Sequence, residues 1–453
     1  MEGELQVSEA GQKRSRLAWM SEGSRIVPDR HVYVLINFVA LALLAYTIWY
    51  ALFGVTNRHF HAAIFLMVGL PVVFLTTTRN ALTTRIGWPD WILAALSFAA
   101  SLYYVLNDDF YRGILIGMTP IPDHEIAVGL IMITLVTEAC RRSVGWGLTG
   151  VILVLLAYVW LGQYLGGELG HGAIELDYFT TIQTVTDEGL FGSSIDAAAT
   201  YAILFITYGT FFQRTGGGQL FFELAAVLTR GAKGGASKAC VVSSGLYGSI
   251  SGSPVADVVT TGPITIPLMK KTGVSPTRAA GLEAAASSGG SILPPVMGAV
   301  AFLMVEFTGI PYHQIALASI LPALLYYFGV LSVAHLEALR HGEGIFHYET
   351  LHSIWSVGLR YWRHVTSIAV LIFLLTTGLG VAYIGAYSLL VLIGLCVLWN
   401  APGKKLRLRD LLDGSGETVR NMAGLAIAVA GSGLIIGCIT LSGLTGKFSI
   451  VLE

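Results

Sequence analysis

A chain of 453 residues that is 54% hydrophobic and only 12% charged is far from a soluble domain, in which about a quarter of residues carry charge. The composition excludes that class and fits a polytopic membrane protein lying in a lipid bilayer. The formal net charge of −1 names no partner, and nucleic acid is not expected as one.

Residues 1–30 are polar, lack the apolar core of a cleavable signal and carry Lys13, Arg14, Arg16, Arg25 and Arg30. They are expected to form a cytoplasmic tail, with the first spanning helix serving for insertion. Four spans follow, at 31–53, 61–77, 88–106 and 125–140. Arg79 and Arg85 lie between the second and third, and Arg141 and Arg142 follow the fourth. The third connector instead holds Asp108, Asp109, Asp123 and Glu125 against Arg112 alone. The positive-inside rule then puts the N-terminus and the basic connectors in the cytoplasm.

Further spans are expected at 145–165, 195–212, 279–307, 315–335, 365–379, 383–398 and 422–441. Residues 216–228 read as an interfacial helix between Arg214 and the pair Arg230 and Lys233. The segment 336–364, with Arg340, Arg360 and Arg363, is cytoplasmic, as are Lys404, Lys405, Arg407 and Arg409. The fold expected is all-α, with about eleven transmembrane helices and one re-entrant hairpin, every basic connector falling on one side.

The hairpin is the unusual part. At its centre stands Gly248-Ser249-Ile250-Ser251-Gly252-Ser253-Pro254-Val255-Ala256-Asp257, between apolar arms. Gly and Pro weaken a helix, and the backbone groups they free need protein or a water-filled cavity around them at membrane depth. A hairpin over 235–271 satisfies this, its basic ends at Lys238 and Lys270-Lys271 on the same side. A second break, Ser287-Ser288-Gly289-Gly290-Ser291-Ile292-Leu293-Pro294-Pro295, interrupts the span 279–307. Two broken segments so close together point to the midplane site of a secondary transporter.

A weak internal repeat accompanies them. GTFFQRTGGGQLFFEL over 209–224 and GCITLSGLTGKFSIVL over 437–452 align with Gly209 on Gly437 and Gly218 on Gly446. The first copy crosses inward and the second outward, as an inverted repeat requires. On this reading residues 411–453 open a second repeat that is mostly missing, and the chain is expected to be truncated at its C-terminus.

Ser249, Ser251, Gly252 and Ser253 at the tip, with Ser287, Ser288, Gly289 and Ser291 at the break, offer hydroxyls and unwound carbonyls. Hard cations such as Na+ want several oxygens at short range, and these supply them without a fixed charge. The alternative is that small residues here only let helices approach closely. Asp257 needs a partner or a purpose, since an acid at membrane depth costs roughly 2.5–3.5 kcal/mol. Orienting the loop by accepting backbone hydrogen bonds is preferred to direct ion ligation, with capping of the second arm a further option. Thr260, Thr261 and Thr265 either reach an anionic substrate or bond back to their own helix. Asp257, Thr260, Thr261, Pro294 and Pro295 are nominated to line the substrate path. Arg278 and Glu283 stand five apart, a poor fit to helical pairing, and receive no role.

Nothing points to an enzyme or a bound cofactor. There is no GxxxxGK[ST] loop, and the glycine run Thr215–Gly218 follows a membrane span, not a strand. Cys140, Cys240, Cys396 and Cys438 are isolated, which suits small core packing over redox or metal work. His335, His341, His347, His352 and His364 scatter without metal spacing.

The stretches GSISGSPVADVVTTGPITIPLMKKTG and AASSGGSILPPVMGAVAF resemble the large membrane subunit of tripartite ATP-independent periplasmic (TRAP) transporters. Residues 31–144 look like the small membrane subunit fused ahead of it, similar to the group with TAXI-type binding proteins. Residues 145–410 would then hold the first repeat of the large subunit. The resemblance implies an elevator fold built from inverted repeats, in the cytoplasmic (inner) membrane of a bacterium or archaeon. It also implies sodium-coupled symport of organic anions, often carboxylates, with protons the alternative coupling ion. A periplasmic binding protein would deliver the substrate, and the hairpin tip and the 287–295 break would form one sodium site. A membrane scaffold or assembly subunit, or an ion channel, is the reading from a different class. Stabilisation by ions separates the scaffold, and flux without a binding protein separates the channel.

Overall fold

The computed structural model describes residues 29–54, 57–79, 85–114, 121–344, 353–398 and 407–447. The N-terminal tail up to residue 28, His347, His352, Lys404, Lys405 and the end of the second repeat copy lie outside them.

The α-helices of seven residues or more are α1 (Arg30–Phe53), α2 (Arg58–Thr76), α3 (Trp88–Leu106), α4 (Asp123–Ser143), α5 (Trp146–Leu161), α6 (Leu176–Thr184), α7 (Ile203–Arg214) and α8 (Gly217–Leu228). They continue with α9 (Gly235–Ser251), α10 (Pro254–Lys271), α11 (Pro276–Ser288), α12 (Ala299–Thr308) and α13 (Tyr312–His341). The last are α14 (Ile354–Arg360), α15 (Trp362–Thr376), α16 (Val381–Leu398) and α17 (Leu408–Ser442). No strand occurs among the described residues. Among the described residues eight helical stretches are long and apolar enough to cross a membrane, one of them Ser193–Arg214, whose last part is α7. The chain is a polytopic helical membrane protein, as its composition predicts.

Three expected spans fall outside those eight for physical reasons. Helix α4 ends in Asp123, Glu125, Glu138, Arg141 and Arg142. Residues 279–307 are divided between α11 and α12, and α15 has 15 residues. By contrast α13, at 30 residues, is about 45 Å long, more than the ~30 Å hydrocarbon core needs.

The chain divides into two compact units. The first comprises 1–46, 55–199 and 419–453. Its charged focus is Arg142, which is buried, bonds Asp90 at 2.6 Å and Glu138 at 2.7 Å, and lies 5.1 Å from the centre of the Phe74 ring. Glu125 accepts hydrogen bonds from Tyr103 at 2.7 Å and Tyr111 at 2.5 Å. Gln183 on α6 donates to Leu434 O at 3.2 Å, and Cys140 on α4 to Ile427 O at 3.3 Å.

The second unit comprises 47–54 and 200–418 and contains the hairpin. Phe302 stacks between Phe205 and Tyr312, with ring centres 5.2 and 5.1 Å away. Tyr208 and Ser367 share a buried hydrogen bond of 2.9 Å between α7 and α15. Gly216, at φ +102°, breaks the chain between α7 and α8. The second repeat copy has its left-handed glycine at Gly443, which the alignment pairs with Thr215, one place out of step.

Candidate functional site

The predicted hairpin is present as α9 and α10. Arm α9 ends on Gly252, whose φ of +62° an L side chain resists and whose N–H bonds Gly248 O at 2.9 Å. Ser253 then caps α10, its hydroxyl accepting from Ala256 N at 3.4 Å, and Pro254 takes the first helical position. The turn is thus two residues long. A Cβ on Gly252 would overlap Met297 O, so the tip lies directly against the second break.

That break begins at Ser288, tightens into a 3-10 turn over Gly289–Ile292 and resumes as α12. A cis peptide joins Pro294 and Pro295. The two broken elements are bonded to each other, Val296 N donating to Ser249 O at 2.9 Å. Tyr312 on α13 holds the break from the other side, donating to Pro295 O at 3.0 Å and to Val296 O. The expected meeting of tip and break is therefore built from backbone contacts.

The nominated hydroxyls are spent locally. Ser249 bonds Leu246 O at 2.8 Å, Ser288 bonds Ala284 O at 2.8 Å, and Ser291 bonds Ser288 O at 2.9 Å. Gly289 is buried against the Tyr326 ring. Ser251 donates to Asp257 Oδ1 and receives Ser253 N at 3.1 Å. Asp257 is fully buried, and its partner is this hydroxyl, in place of the backbone groups expected. Ser251 reaches it from the end of α9, across the turn at Gly252-Ser253. Asp257 Oδ2 has no hydrogen-bond partner.

Ser287 donates to Glu283 Oε1 at 3.3 Å, which leads to a residue the sequence left without a role. Glu283 is fully buried and also receives Ser244, Thr261, Thr265 and Cys240 from both hairpin arms. The available signal was a single acid in the small-residue run 279–288.

Thr260 and Thr261 line a cavity of about 450 Å³ with Gln213, Arg214, Arg360, Arg363 and His364. Gln213 Nε2 donates to Thr260 Oγ1 at 2.5 Å. Arg214 pairs with Glu417 at 2.7 Å, and Arg360 approaches Glu223 at 3.6 Å. Three guanidinium groups and several hydroxyl and amide donors around one concavity suit an anion. Pro294 and Pro295 face elsewhere, toward an apolar cavity with His313, Leu317 and Ile372.

A family model described as the DctM component of the tripartite ATP-independent periplasmic transporter matches residues 131–453, well over half of the chain. The chain belongs to this family. DctM proteins form a transporter family, and the hairpin, the break and the cavity all lie within the matched residues. The chain is similar to the uncharacterized protein y4mL of Sinorhizobium fredii, 30% identical over 125 residues, 28% of this chain and 29% of that protein. It is also similar to the uncharacterized protein YgiK of Salmonella typhimurium, 29% identical over 148 residues, 32% of this chain and 34% of that protein. A Haemophilus influenzae protein described as a TRAP transporter large permease is 28% identical over 153 residues, 34% of this chain and 35% of that protein. The aligned stretches span about a third of each relative's length.

Proposed function

We propose that the chain is the membrane permease of a secondary active TRAP transporter that takes up small organic anions, carboxylates in particular, by sodium-coupled symport. The single observation that carries this reading is the junction of two interrupted helical segments, hairpin tip against helix break, bonded at Ser249 and Val296. The arginine-lined cavity beside Thr260 and Thr261 supports an anionic substrate. Because α10 contributes both to the hairpin tip and to that cavity, one rigid helix would couple ion and substrate. A sodium ion at the tip would use backbone carbonyls there, since the serine hydroxyls already have partners.

The partners belong to the same proposal. A periplasmic binding protein of the TAXI type would deliver substrate, and residues 31–144 would act as the small subunit beside an elevator-like first repeat. The membrane would be the bacterial or archaeal inner membrane, with the N-terminus in the cytoplasm.

The test is thermal unfolding of the purified chain in detergent, in sodium against potassium at matched ionic strength, for wild type, Ser249→Ala and Ser288→Ala. A ligand bound only by the folded state adds roughly 2.7 kcal/mol at a hundredfold excess over its Kd. Sodium-specific stabilisation that survives both substitutions supports a site built on the backbone carbonyls of the tip, since the Ser249 and Ser288 hydroxyls are spent on Leu246 O and Ala284 O. Identical melting in both salts, with and without a dicarboxylate, favours the scaffold reading instead.

A further inference from the structure

Helices α11 and α13 are pinned together at two levels and stand apart between them. At one level Tyr326 and Tyr327 of α13 donate to Ala285 O at 2.8 Å and Ala286 O at 2.9 Å on α11. At the other, Arg278 of α11 bonds Glu343, just past the end of α13, at 2.6 Å and approaches Glu337 at 3.4 Å. Ser237 of α9 completes this level by donating to Glu343 at 3.0 Å. Between the two levels lies a cavity of about 710 Å³ that the transport reading does not use. Gly281 of α11 and Gly329 of α13 both line it, and a Cβ on either would meet nothing within 4 Å. The rest of the wall is chiefly aliphatic, with Leu282, Val330 and Val333. Its charged lining residues, Arg278 and Glu337, stand together at one end.

Length and position decide what can lie there. Gly281, Leu325, Gly329 and Val333 are exposed, so the cavity is a groove open along its side. Helix α13 is a membrane span by length and hydropathy, and lipid chains surround such an exposed apolar face. From Glu337 to Leu325 the groove follows α13 for about 18 Å, at ~1.5 Å per residue. One leaflet is half of a ~30 Å hydrocarbon core, about 15 Å. The charged end is where α11 begins, shortly after Lys270-Lys271, and where α13 finishes at Arg340 and His341. The positive-inside rule puts that end at the cytoplasmic surface. A lipid of that leaflet can therefore set its headgroup at Arg278 and lay one acyl chain along the groove.

The charges at the mouth choose among headgroups. Arg278 has five N–H donors and spends one on Glu343 and one on the looser contact with Glu337, which leaves three for a phosphate. Glu343 is buried and bonded on both oxygens, by Arg278 and Ser237. Glu337 is half-buried, and its other neighbour is His341 at 3.2 Å. One guanidinium thus faces two carboxylates, and a headgroup of net negative charge meets an acidic end. A phosphate with a primary ammonium beside it matches both signs, the phosphate on Arg278 and the ammonium on Glu337. A quaternary ammonium has no N–H to give to Glu337. Arg340 is exposed and does not line the groove.

We propose that the groove between α11 and α13 binds one aminophospholipid of the bilayer, its acyl chain along Gly281 and Gly329, its phosphate on Arg278 and its ammonium on Glu337. The lipid fills the gap that the two pinned levels hold open, beside the helix that leads into the break. Its second chain stays in the leaflet. The proposal needs only a chain that spans a bilayer, and nothing in it rests on which ion or substrate is carried.

The test incubates the purified full chain in detergent with equal amounts of phosphatidylethanolamine, phosphatidylglycerol and phosphatidylcholine of identical acyl chains, and counts retained lipid by native mass spectrometry. The expected result is one phosphatidylethanolamine per chain, favoured about threefold or more over either competitor, the size of a half-exposed ion pair. Gly329→Leu, which fills the groove from an exposed helical position, should abolish retention. Glu337→Gln should still retain one lipid but take phosphatidylethanolamine and phosphatidylcholine alike. It removes only a half-buried carboxylate, so the proposal stays testable if Gly329→Leu does not fold. Wild type that retains no lipid, holds the three equally or prefers phosphatidylglycerol overturns the proposal. A phosphatidylethanolamine preference that survives either substitution overturns it as well. The sodium series can fail while this preference holds, and the reverse, so the two readings stand or fall separately.

Discussion

Gly248 of α9 and Gly290 of the helix break press their backbones together so closely that a Cβ on either would lie 2.5 Å from the other's Cα. Asp257 Oδ2 closes the remaining side, 2.6 Å from such a Cβ on Gly248. Since the obstacles are main chain and a buried acid, nothing can swing aside. Gly290→Ala should cost about 1–3 kcal/mol, as overpacked cores do. Gly281→Ala in α11, with open space around it, should be neutral or add up to about 1 kcal/mol. Thermal unfolding of the two variants side by side decides; equal melting would remove the contact from the account.

Arg142 and Asp90 make the buried ion pair of the first unit. Asp90→Ala leaves the guanidinium with Glu138 alone and should cost about 3 kcal/mol, the low end for a broken buried pair. Replacing both residues by leucine should recover most of that loss. If the double variant melts no higher than the single one, an unpaired charge is not what destabilises it.

Tyr312→Phe removes the donor to Pro295 O and Val296 O while leaving the stacking on Phe302. About 1–2 kcal/mol should be lost, with two carbonyls of the break unpaired. Because those carbonyls lie beside the hairpin tip, sodium-dependent stabilisation should weaken in the same variant. A stability loss with an unchanged sodium response would separate the break from the ion site.

For the arginine-lined cavity, Arg363→Gln should weaken protection by a short dicarboxylate about tenfold or more. A charge-assisted hydrogen bond contributes about 1.5–3 kcal/mol, and 1.4 kcal/mol is tenfold. Melting curves over a dicarboxylate series give the comparison. Equal affinity in the two proteins would place the substrate elsewhere.

The hairpin was legible because its punctuation is local. Gly235 opens α9, Gly252-Ser253-Pro254 turns the chain, and Lys270-Lys271 closes α10, within the limits the sequence set. The direction of each hydroxyl was not legible, since a serine in a helix always has a carbonyl three or four residues back within reach. Ser249 and Ser288 took that carbonyl, while Ser251 and Ser287 took carboxylates. Glu283 was left without a role because its charged neighbour Arg278 stands five residues away, a poor fit to helical pairing, and Arg278 pairs instead with Glu343. The donors Thr265 and Ser244 lie 18 and 39 residues distant, on other helices. Only the packed hairpin brings them together.

The long-range bonds of Gln183 and Cys140 set an order of events during synthesis. Their acceptors, Leu434 O and Ile427 O, lie 251 and 287 residues further along the chain. The ribosome must therefore deliver the whole of 200–418 before the first unit can close. In that interval the buried face of α4, with its polar groups, waits in the bilayer without its final neighbours. The second unit therefore has its whole chain delivered before the first has its last helix.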